Sequence, residues 1–280
     1  MTKKYSHVEE SELGKKSAYD AQYNPDKLFP IPRKEKRDEI GIDSAHLPFH
    51  GFDYWNHYEV SWLNEKGKPI AAVAEIIYSS DSSHIIESKS MKLYFNSFNN
   101  TKFKDHLAVA EVIKRDFEPR VGSAVFVTVT PISALQNEIV YAGFDGECVD
   151  HLDVECDVYT VDPILLMTED SIVTEVLYSD LLKSNCLVTF QPDWGSVQIA
   201  YKGKKINHES LLKYIVSFRN HNEFHEQCIE RIFIDIMRMC QPEMLTVYGR
   251  YTRRGGLDIN PYRSNQPVVI PTQQKRLYRQ

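Results

Sequence analysis

The sequence lacks the features of secreted, membrane-bound and general nucleic-acid-binding proteins. No stretch approaches the roughly 18 apolar residues that a membrane-spanning helix needs. The first residues, MTKKYSHVEESELGKK, are polar, which is not typical of a secretory signal. The net charge of -6 gives no overall basic surface for binding phosphates. We therefore expect a soluble, cytoplasmic protein that does not bind nucleic acid directly.

Cysteine pairs and glycine-rich fingerprints are also lacking. The cysteines lie at positions 148, 156, 186, 228 and 240. An odd number without a C-x-x-C pair favours reduced thiols over a disulfide framework. No G-x-G-x-x-G follows a predicted strand, so a dinucleotide would not bind in the Rossmann manner.

The chain instead contains one pattern of elements twice. Its 280 residues are more than most single cores hold. A hairpin, two helices and a strand are predicted at 58–78, 87–98, 104–117 and 123–132, and again at 186–203, 209–218, 223–239 and 244–252. The letters Tyr-x-x-Ser-Phe-x-Asn occur at 94–100 and recur at 214–220. This repetition predicts a duplicated α+β unit, with antiparallel sheets and paired helices on one face.

We divide the chain into three parts. Residues 1–50, rich in charge and proline, are expected to form an irregular N-terminal arm. Residues 51–160 are predicted to be the first unit, which contains Glu87. Residues 161–280 are predicted to be the second unit, in which Asn207 occupies the position that corresponds to Glu87.

Cys186 and Asp193 are the first candidates for chemistry. A thiolate is a nucleophile when a neighbouring group manages its proton, but a lone cysteine among apolar residues is also a common core residue. The letters Pro-Asp-Trp-Gly at 192–195 are typical of a turn, in which an aspartate caps its own backbone. In a straight hairpin of about 3.3 Å per residue, Asp193 would lie far from Cys186. Cooperation therefore requires residues 187–193 to curl back.

His225 and Glu226 open a predicted helix. Asn220-x-x-Glu223 resembles a capping box for this helix. His221 and His225 are spaced i, i+4, with Cys228 one turn further on, which also suits zinc. The H-E-x-x-H order is absent, so a capped, solvated helix start and a metal site both stay open.

A carboxylate and a basic loop complete the candidates. Glu87 begins a predicted helix, where the macrodipole favours it, but a carboxylate also accepts two parallel N–H bonds from a guanine-like ring. Lys89 and Lys92 lie on the same helix. The loop after the last strand places Arg250, Arg253 and Arg254 beside two glycines, and it suits either phosphate or solvent.

Four segments together carry a family resemblance, and they occur in the order ESKSMKLYFNSFN, SNCLVTFQPDWGSVQI, SFRNHNEFHEQC and YTRRGGLDINPYRS. They resemble the long, two-unit form of the 7-cyano-7-deazaguanine reductase family, which reduces a nitrile in queuosine biosynthesis, a tRNA-modification pathway. The resemblance covers nearly the whole chain. It implies the tunnelling fold, whose members bind purine-like or pterin-like rings through a glutamate. One departure is that the arginine after Ser-Phe appears as Arg219, whereas the first copy has Asn99.

The resemblance implies a role for each candidate. Cys186 attacks the nitrile carbon to form a covalent thioimide, and Asp193 supplies protons. The residues implied to hold the substrate ring are Ile86, Glu87, Ser88, His225 and Glu226. Those implied to contact NADPH, of which two molecules are used per turnover, are Ser88, Lys89, Arg254 and Gly255, and we add Arg253. The family requires no metal, and a homodimer is expected.

Two alternatives remain at this point. One is a zinc-dependent pterin or purine hydrolase of the same fold that uses His221, His225 and Cys228. The other is a non-catalytic purine-binding module in which Cys186 is a core residue.

Overall fold

The structure, a computed structural model, describes residues 10, 20, 22–135, 141–270 and 276–280. Its contacts divide the chain into two compact units. Unit 1 comprises Met1–Glu35, Tyr54–Glu138 and Arg253–Asp258, and unit 2 comprises Lys36–Asp53, Ile139–Thr252 and Ile259–Gln280. Residues 1–9, 11–19 and 21 of the predicted arm lie outside the described residues. The boundaries predicted at 50 and 160 stay predictions.

The elements confirm the α+β class. The helices are α1 (Lys34–Glu39), α2 (Ser88–Asn96), α3 (His106–Val121), α4 (His208–Ser217) and α5 (His225–Cys240). The strands are β1 (Pro30–Pro32), β2 (His50–Leu63), β3 (Pro69–Ser79), β4 (His84–Ile86), β5 (Val125–Pro131), β6 (Tyr141–Ala142), β7 (Glu147–Cys148), β8 (Thr168–Ser179), β9 (Lys183–Asn185), β10 (Pro192–Ile206), β11 (Met244–Tyr251), β12 (Leu257–Ser264) and β13 (Arg276–Leu277). Among the described residues, no helix has the length and apolar character of a membrane span.

Unit 1 follows the predicted order of elements. β3 pairs antiparallel with β5 and has β2 as its other neighbour, and β1 pairs antiparallel with β4. The predicted hairpin is confirmed, because the side chain of Asn64 accepts hydrogen bonds from the backbone of Lys66 at 3.0 Å and Lys68 at 2.9 Å. Gly67 turns the chain at a φ of 80°, a conformation that favours glycine.

Unit 2 differs from the predicted hairpin at 186–203. Residues 186–190 form a turn, and the long strand β10 pairs antiparallel with β8 on one side and β11 on the other. β8 was not predicted, because its apolar and polar residues do not alternate regularly. The turn of the predicted hairpin was therefore misplaced, since β9 and β10 pair antiparallel around residues 186–191 and not around 192–195. The strand at 244–252 and all four predicted helices are confirmed.

The helix α5 carries the apolar core of unit 2. Its side chains Ile229, Ile232, Phe233 and Ile236 are fully buried. Their positions follow the i, i+3, i+4, i+7 spacing of one helix face, so they form a single apolar stripe. Full burial of each contributes about 1.5–3 kcal/mol. This stripe fixes the helix, and therefore its first turn, against the sheet.

Matching hydrogen bonds in the two units support the duplication. In unit 1 the hydroxyl of Tyr94 on α2 donates to Asp116 on α3 at 2.8 Å. In unit 2 the hydroxyl of Tyr214 on α4 donates to Asp235 on α5 at 2.7 Å. Each bond joins the two helices of its own unit.

The match extends to the segment that enters each unit. The backbone N–H of Phe29 donates to Ser90 Oγ at 3.0 Å, and that of Met167 donates to Ser210 Oγ at 3.1 Å. Each of these segments follows a short 3₁₀ turn, Pro25–Lys27 or Pro163–Leu165. Residues 24–29 therefore belong to the repeated structure, although the sequence predicted an irregular arm.

We predict that the two helix-joining tyrosines differ in their contribution to stability. In Tyr214→Phe the buried Asp235 loses its hydroxyl donor, so the free energy of unfolding should fall by about 1–3 kcal/mol. In Tyr94→Phe the loss should be smaller, about 0.5–1.5 kcal/mol, because Asp116 keeps a hydrogen bond from Tyr23. Urea unfolding measures both. The exposed Tyr159→Phe is the control, and a larger loss for Tyr94→Phe than for Tyr214→Phe would contradict the prediction.

Candidate active site

The chain reverses direction directly after Cys186. The backbone N–H of Cys186 donates to Gln191 O at 2.9 Å, and that of Phe190 donates to Cys186 O at 3.1 Å. Phe190 adopts a φ of 56°, which is uncommon for a residue with a side chain. The segment therefore curls back, which is the condition that Cys186 and Asp193 need in order to cooperate.

The pairing of β9 with β10 brings Asp193 back towards Cys186. Asp193 lies opposite Ser184, two residues before Cys186. Cys186 directly follows β9, so the pairing brings the backbone of Asp193 back to the strand that leads to Cys186. Both side chains are buried, with 6% of Asp193 and 3% of Cys186 exposed.

His225 lies beside Asp193. It is the first residue of α5, and its Nε2 is 3.4 Å from Asp193 Oδ2. Its ring stacks on Tyr251, with centroids 3.9 Å apart and an interplanar angle of 8°. Its Nδ1 is buried and has no hydrogen-bond partner among the residues that the structure describes.

Glu226 follows His225 in the first turn of α5. Only 1% of this residue is exposed. The positive end of the helix dipole favours a carboxylate there, but burying a charged group is costly unless it is well bound. The predicted capping box is not formed by Asn220 and Glu223. Phe224 precedes the helix instead, and its N–H donates to the side chain of Gln227 at 3.4 Å.

Glu223 instead anchors the segment before α5. Its carboxylate accepts hydrogen bonds from Arg231 Nε at 3.0 Å and Nη2 at 2.7 Å, and it lies 2.8 Å from His221 Nε2. Burial raises the pKa of Glu223, but the hydrogen bonds and positive charges of His221 and Arg231 outweigh it and hold that pKa at about 2.

The same segment holds the strand that leads to Cys186. The backbone N–H of Glu223 donates to Asn185 O at 3.1 Å, and that of Asn185 donates to His221 O at 2.8 Å. Residues 221–223 therefore connect the chain just before Cys186 to the start of α5.

The three residues of the zinc alternative have other surroundings. His221 lies outside α5, and Cys228 is fully buried. Burial and the charge of Glu223 raise the pKa of Cys228 to about 12, although the charge of Arg231 opposes this. Within the described ranges, no three His, Cys, Asp or Glu side chains form a group that could hold a metal ion.

In unit 1, Glu87 caps helix α2. Its carboxylate accepts the N–H of Lys89 at 2.7 Å and that of Ser90 at 2.8 Å. Burial raises the pKa of Glu87, and these two hydrogen bonds oppose that rise. Because each carboxylate oxygen has a second lone pair, capping leaves Glu87 able to accept further bonds. Ile86 ends β4 and Ser88 begins α2, on either side of it.

A cationic cluster of Lys89, Lys92 and Arg254 lies near this helix start in unit 1. Burial lowers the pKa of Lys92, as do the charges of Arg254 and Lys89, whereas Glu59 and Glu87 raise it. Gly255 has a φ of 59°, and a Cβ added there would lie 1.7 Å from Lys92 Nζ. The positive φ favours glycine at this position, and any side chain there would displace the end of Lys92.

The other arginines of interest have separate contacts. Arg253 lies over the ring of Tyr58, 4.7 Å from its centroid. Arg250 is buried in unit 2, where its Nε donates to Asn260 Oδ1 at 3.0 Å. Arg219 lies over the ring of Trp194 at 5.8 Å. The basic loop predicted from the sequence therefore does not act as one cluster.

Sequence reasoning missed two residues of this region. Tyr251, whose ring stacks on that of His225, lies in a predicted strand and opens the segment YTRRGGLDINPYRS, but no role was assigned to it. Glu223 was interpreted as a cap, and its charged partner Arg231 lies eight residues further on, a separation that no local sequence pattern marks.

Comparisons with known proteins agree on one family. Residues 19–129 match the family model described as nitrile reductase, 7-cyano-7-deazaguanine-reductase N-term, and residues 192–268 match that of the QueF-like protein. A protein of Legionella pneumophila (strain Lens) is 65% identical over 97% of this chain and 95% of its own length. One of Hydrogenovibrio crunogenus is 55% identical over all of both chains, and one of Coxiella burnetii (strain CbuK_Q154) is 54% identical over 97% of each. All three are named NADPH-dependent 7-cyano-7-deazaguanine reductase.

The depressed pKa of Glu223 predicts a loss of stability in acid. Its contribution is complete above its ordinary pKa of 4.5 and is lost as the pH falls to about 2. The wild-type protein should lose about 3 kcal/mol of unfolding free energy from this group in that window, and Glu223→Gln should not. Urea unfolding at several pH values measures this, with the exposed Glu209→Gln as control. A Glu223→Gln profile parallel to that of the wild type would contradict the prediction.

Proposed function

The chain belongs to the family of NADPH-dependent 7-cyano-7-deazaguanine reductases, and we propose that it reduces the nitrile of 7-cyano-7-deazaguanine through a covalent thioimide on Cys186. The product is 7-aminomethyl-7-deazaguanine, an intermediate of queuosine biosynthesis. The relatives' names and the matched family models support the substrate and the reaction.

One observation carries the assignment of the catalytic residues. The turn after Cys186 returns Asp193 to the strand that precedes Cys186, and Asp193 also lies 3.4 Å from His225 Nε2. A buried thiol needs a nearby group that manages its proton. This arrangement supports Cys186 as the nucleophile and Asp193 as the proton carrier.

The reaction requires four electrons. The sulfur of Cys186 bonds to the nitrile carbon, one π pair of the C≡N bond moves to nitrogen, and that nitrogen takes a proton from Asp193. NADPH, when bound, supplies a hydride to the carbon. The C–S bond then breaks, the thiolate leaves and an imine remains. A second hydride and a second proton complete the amine. The balance is one nitrile, two NADPH and two protons to one amine and two NADP⁺.

We assign recognition of the ring to Ile86, Glu87, Ser88, His225 and Glu226. Glu226 is almost fully buried at the start of α5, where its carboxylate suits the N–H groups of an amino-pyrimidinone ring. Glu87 keeps lone pairs beyond those used in capping. The free Nδ1 of His225 is a further polar atom for a ligand.

We assign binding of NADPH to Ser88, Lys89, Arg253, Arg254 and Gly255. The surroundings fit an anionic ligand, because Arg254, Lys89 and Lys92 bring three positive charges together. Gly255 has no side chain, so a ligand can approach its backbone closely. Arg253 has the weakest support, since its guanidinium lies over Tyr58.

The remaining assignments rest on the family resemblance. We propose a cytoplasmic homodimer with no direct nucleic-acid partner and no metal requirement. The zinc-dependent hydrolase is the second candidate, and stoichiometric zinc in the pure protein would favour it.

We predict that Cys186→Ala abolishes the reaction. With 7-cyano-7-deazaguanine and NADPH, turnover followed by cofactor absorbance should fall by more than about 1,000-fold, because the nucleophile is lost. Without NADPH, the wild-type protein should gain the mass of the nitrile substrate, whereas Cys186→Ala should not. Cys240→Ala, which removes another buried thiol of unit 2, should keep the adduct. A covalent mass shift on Cys186→Ala would refute the assignment.

We predict that Arg254→Ala weakens cofactor binding selectively. Loss of a charge-assisted hydrogen bond should raise the KM for NADPH by about 10- to 100-fold. The affinity for the nitrile should change little, and steady-state kinetics with titration calorimetry measure the two separately. Arg120→Ala, a partly buried arginine of the same unit, is the control. An unchanged KM for NADPH would exclude Arg254 from the cofactor site.

A further inference from the structure

We infer that Tyr251 is a positioning residue that fixes the imidazole plane of His225 and so directs its Nε2 at Asp193. This inference rests on the function proposed above. Tyr251 ends β11 in unit 2 and is completely buried. It is the first residue of the segment YTRRGGLDINPYRS, but the resemblance implies no role for it.

Two glycines provide the surface on which the Tyr251 ring lies. Gly195 is the direct partner of Tyr251 across the β10–β11 pair, and Gly249 lies two residues before it on the same face. A Cβ at Gly195 would stand 3.0 Å from Cδ1 of the ring, and one at Gly249 would stand 3.3 Å from Cε2. The ring therefore occupies the space that two side chains would otherwise fill.

His225 covers the Tyr251 ring in turn. The two planes are nearly parallel, at 8°, with centroids 3.9 Å apart. Such contacts contribute about 0.5–1.5 kcal/mol beyond their buried area, and they restrict rotation of the imidazole about its χ2 angle. The order of groups is glycine backbone, tyrosine ring and imidazole.

The fixed plane has a consequence at the ring edge. His225 Nε2 lies 3.4 Å from Asp193 Oδ2, and Asp193 lies two residues before Gly195 on β10. The strand that carries the acid therefore also supports the ring that orients its partner. A tilt of the imidazole would lengthen the contact with Asp193.

The ring of Tyr251, rather than its hydroxyl, carries this role. Burial raises the pKa of Tyr251, and the nearby Cys228 thiol and the negative charges of Asp193 and Glu226 raise it further, so the phenol stays protonated. Its hydroxyl is buried and has no hydrogen-bond partner among the residues that the structure describes. The carbonyl of Tyr251 accepts the side-chain N–H of Gln280 at 3.1 Å, which anchors the end of the strand.

Three variants separate the ring from the hydroxyl. Tyr251→Leu removes the stacking surface, and kcat for nitrile reduction should fall about 10- to 100-fold, the range expected for misplacement of a reacting group. Tyr251→Phe keeps the ring and should restore kcat to within about threefold of the wild type. Gly195→Ala adds a methyl group under the ring and should also lower kcat, which keeps the test available if Tyr251→Leu does not fold.

A double-mutant cycle distinguishes positioning from general destabilisation. In a His225→Ala background, Tyr251→Leu and Gly195→Ala should each cost less than about threefold, because the ring has nothing left to orient. Tyr214→Leu removes an equally buried tyrosine of unit 2 and is the matched control. Tyr214→Leu should lower the unfolding temperature, and its effect on kcat should be the same with and without the His225→Ala substitution.

The outcomes separate the two proposals. Full additivity with His225→Ala, or a Tyr251→Phe variant as impaired as Tyr251→Leu, would overturn the role of Tyr251 while nitrile reduction by the wild type stands. A wild-type protein that neither forms the adduct nor reduces the nitrile would overturn the proposed function, and the role of Tyr251 with it.

Discussion

The geometry of unit 2 depends on one buried carboxylate. Glu223 is held by Arg231 and His221, and its own backbone is bonded to Asn185, the residue before Cys186. Two residues later the chain enters α5 at His225. A charged group buried this deeply is stable only with its partners in place. The same ion pair therefore holds both the approach to the thiol and the start of the helix that carries His225 and Glu226.

Regular elements were predictable because their signals are local. The apolar spacing of α2 to α5 and the Asn64 turn lie within a few residues of sequence. The partners of β10 were not predictable, since β8 lacks a regular alternation and its pairing is decided by contacts across the sheet. The doubling back after Cys186 depends on a positive φ at Phe190, and no glycine marks that position.

The candidate residues were found for a different reason. The residue types of the His-Glu pair, the cysteine and the basic loop indicate their chemistry directly. The family resemblance then assigned these residues to one site. Reasoning from short sequence segments failed for residues whose roles depend on contacts with residues distant in sequence. Arg250 is hydrogen-bonded to Asn260, whereas Arg254 belongs to a cationic cluster. Because both are arginines of one short segment, the sequence did not indicate that their environments differ. Tyr251 was missed because its proposed role depends on packing against Gly195 and His225, which no local sequence pattern shows.

The hydrogen bonds common to the two units have an evolutionary consequence. Tyr94 with Asp116, and Tyr214 with Asp235, preserve the same frame, while the caps of α2 and α4 have become Glu87 and Asn207. Either side chain caps its helix, so exchanging one for the other leaves the frame standing. Selection on such a position is released from folding and follows chemistry alone. A chain that carries the frame twice can therefore hold a negative charge at this position in one unit and a neutral amide in the other.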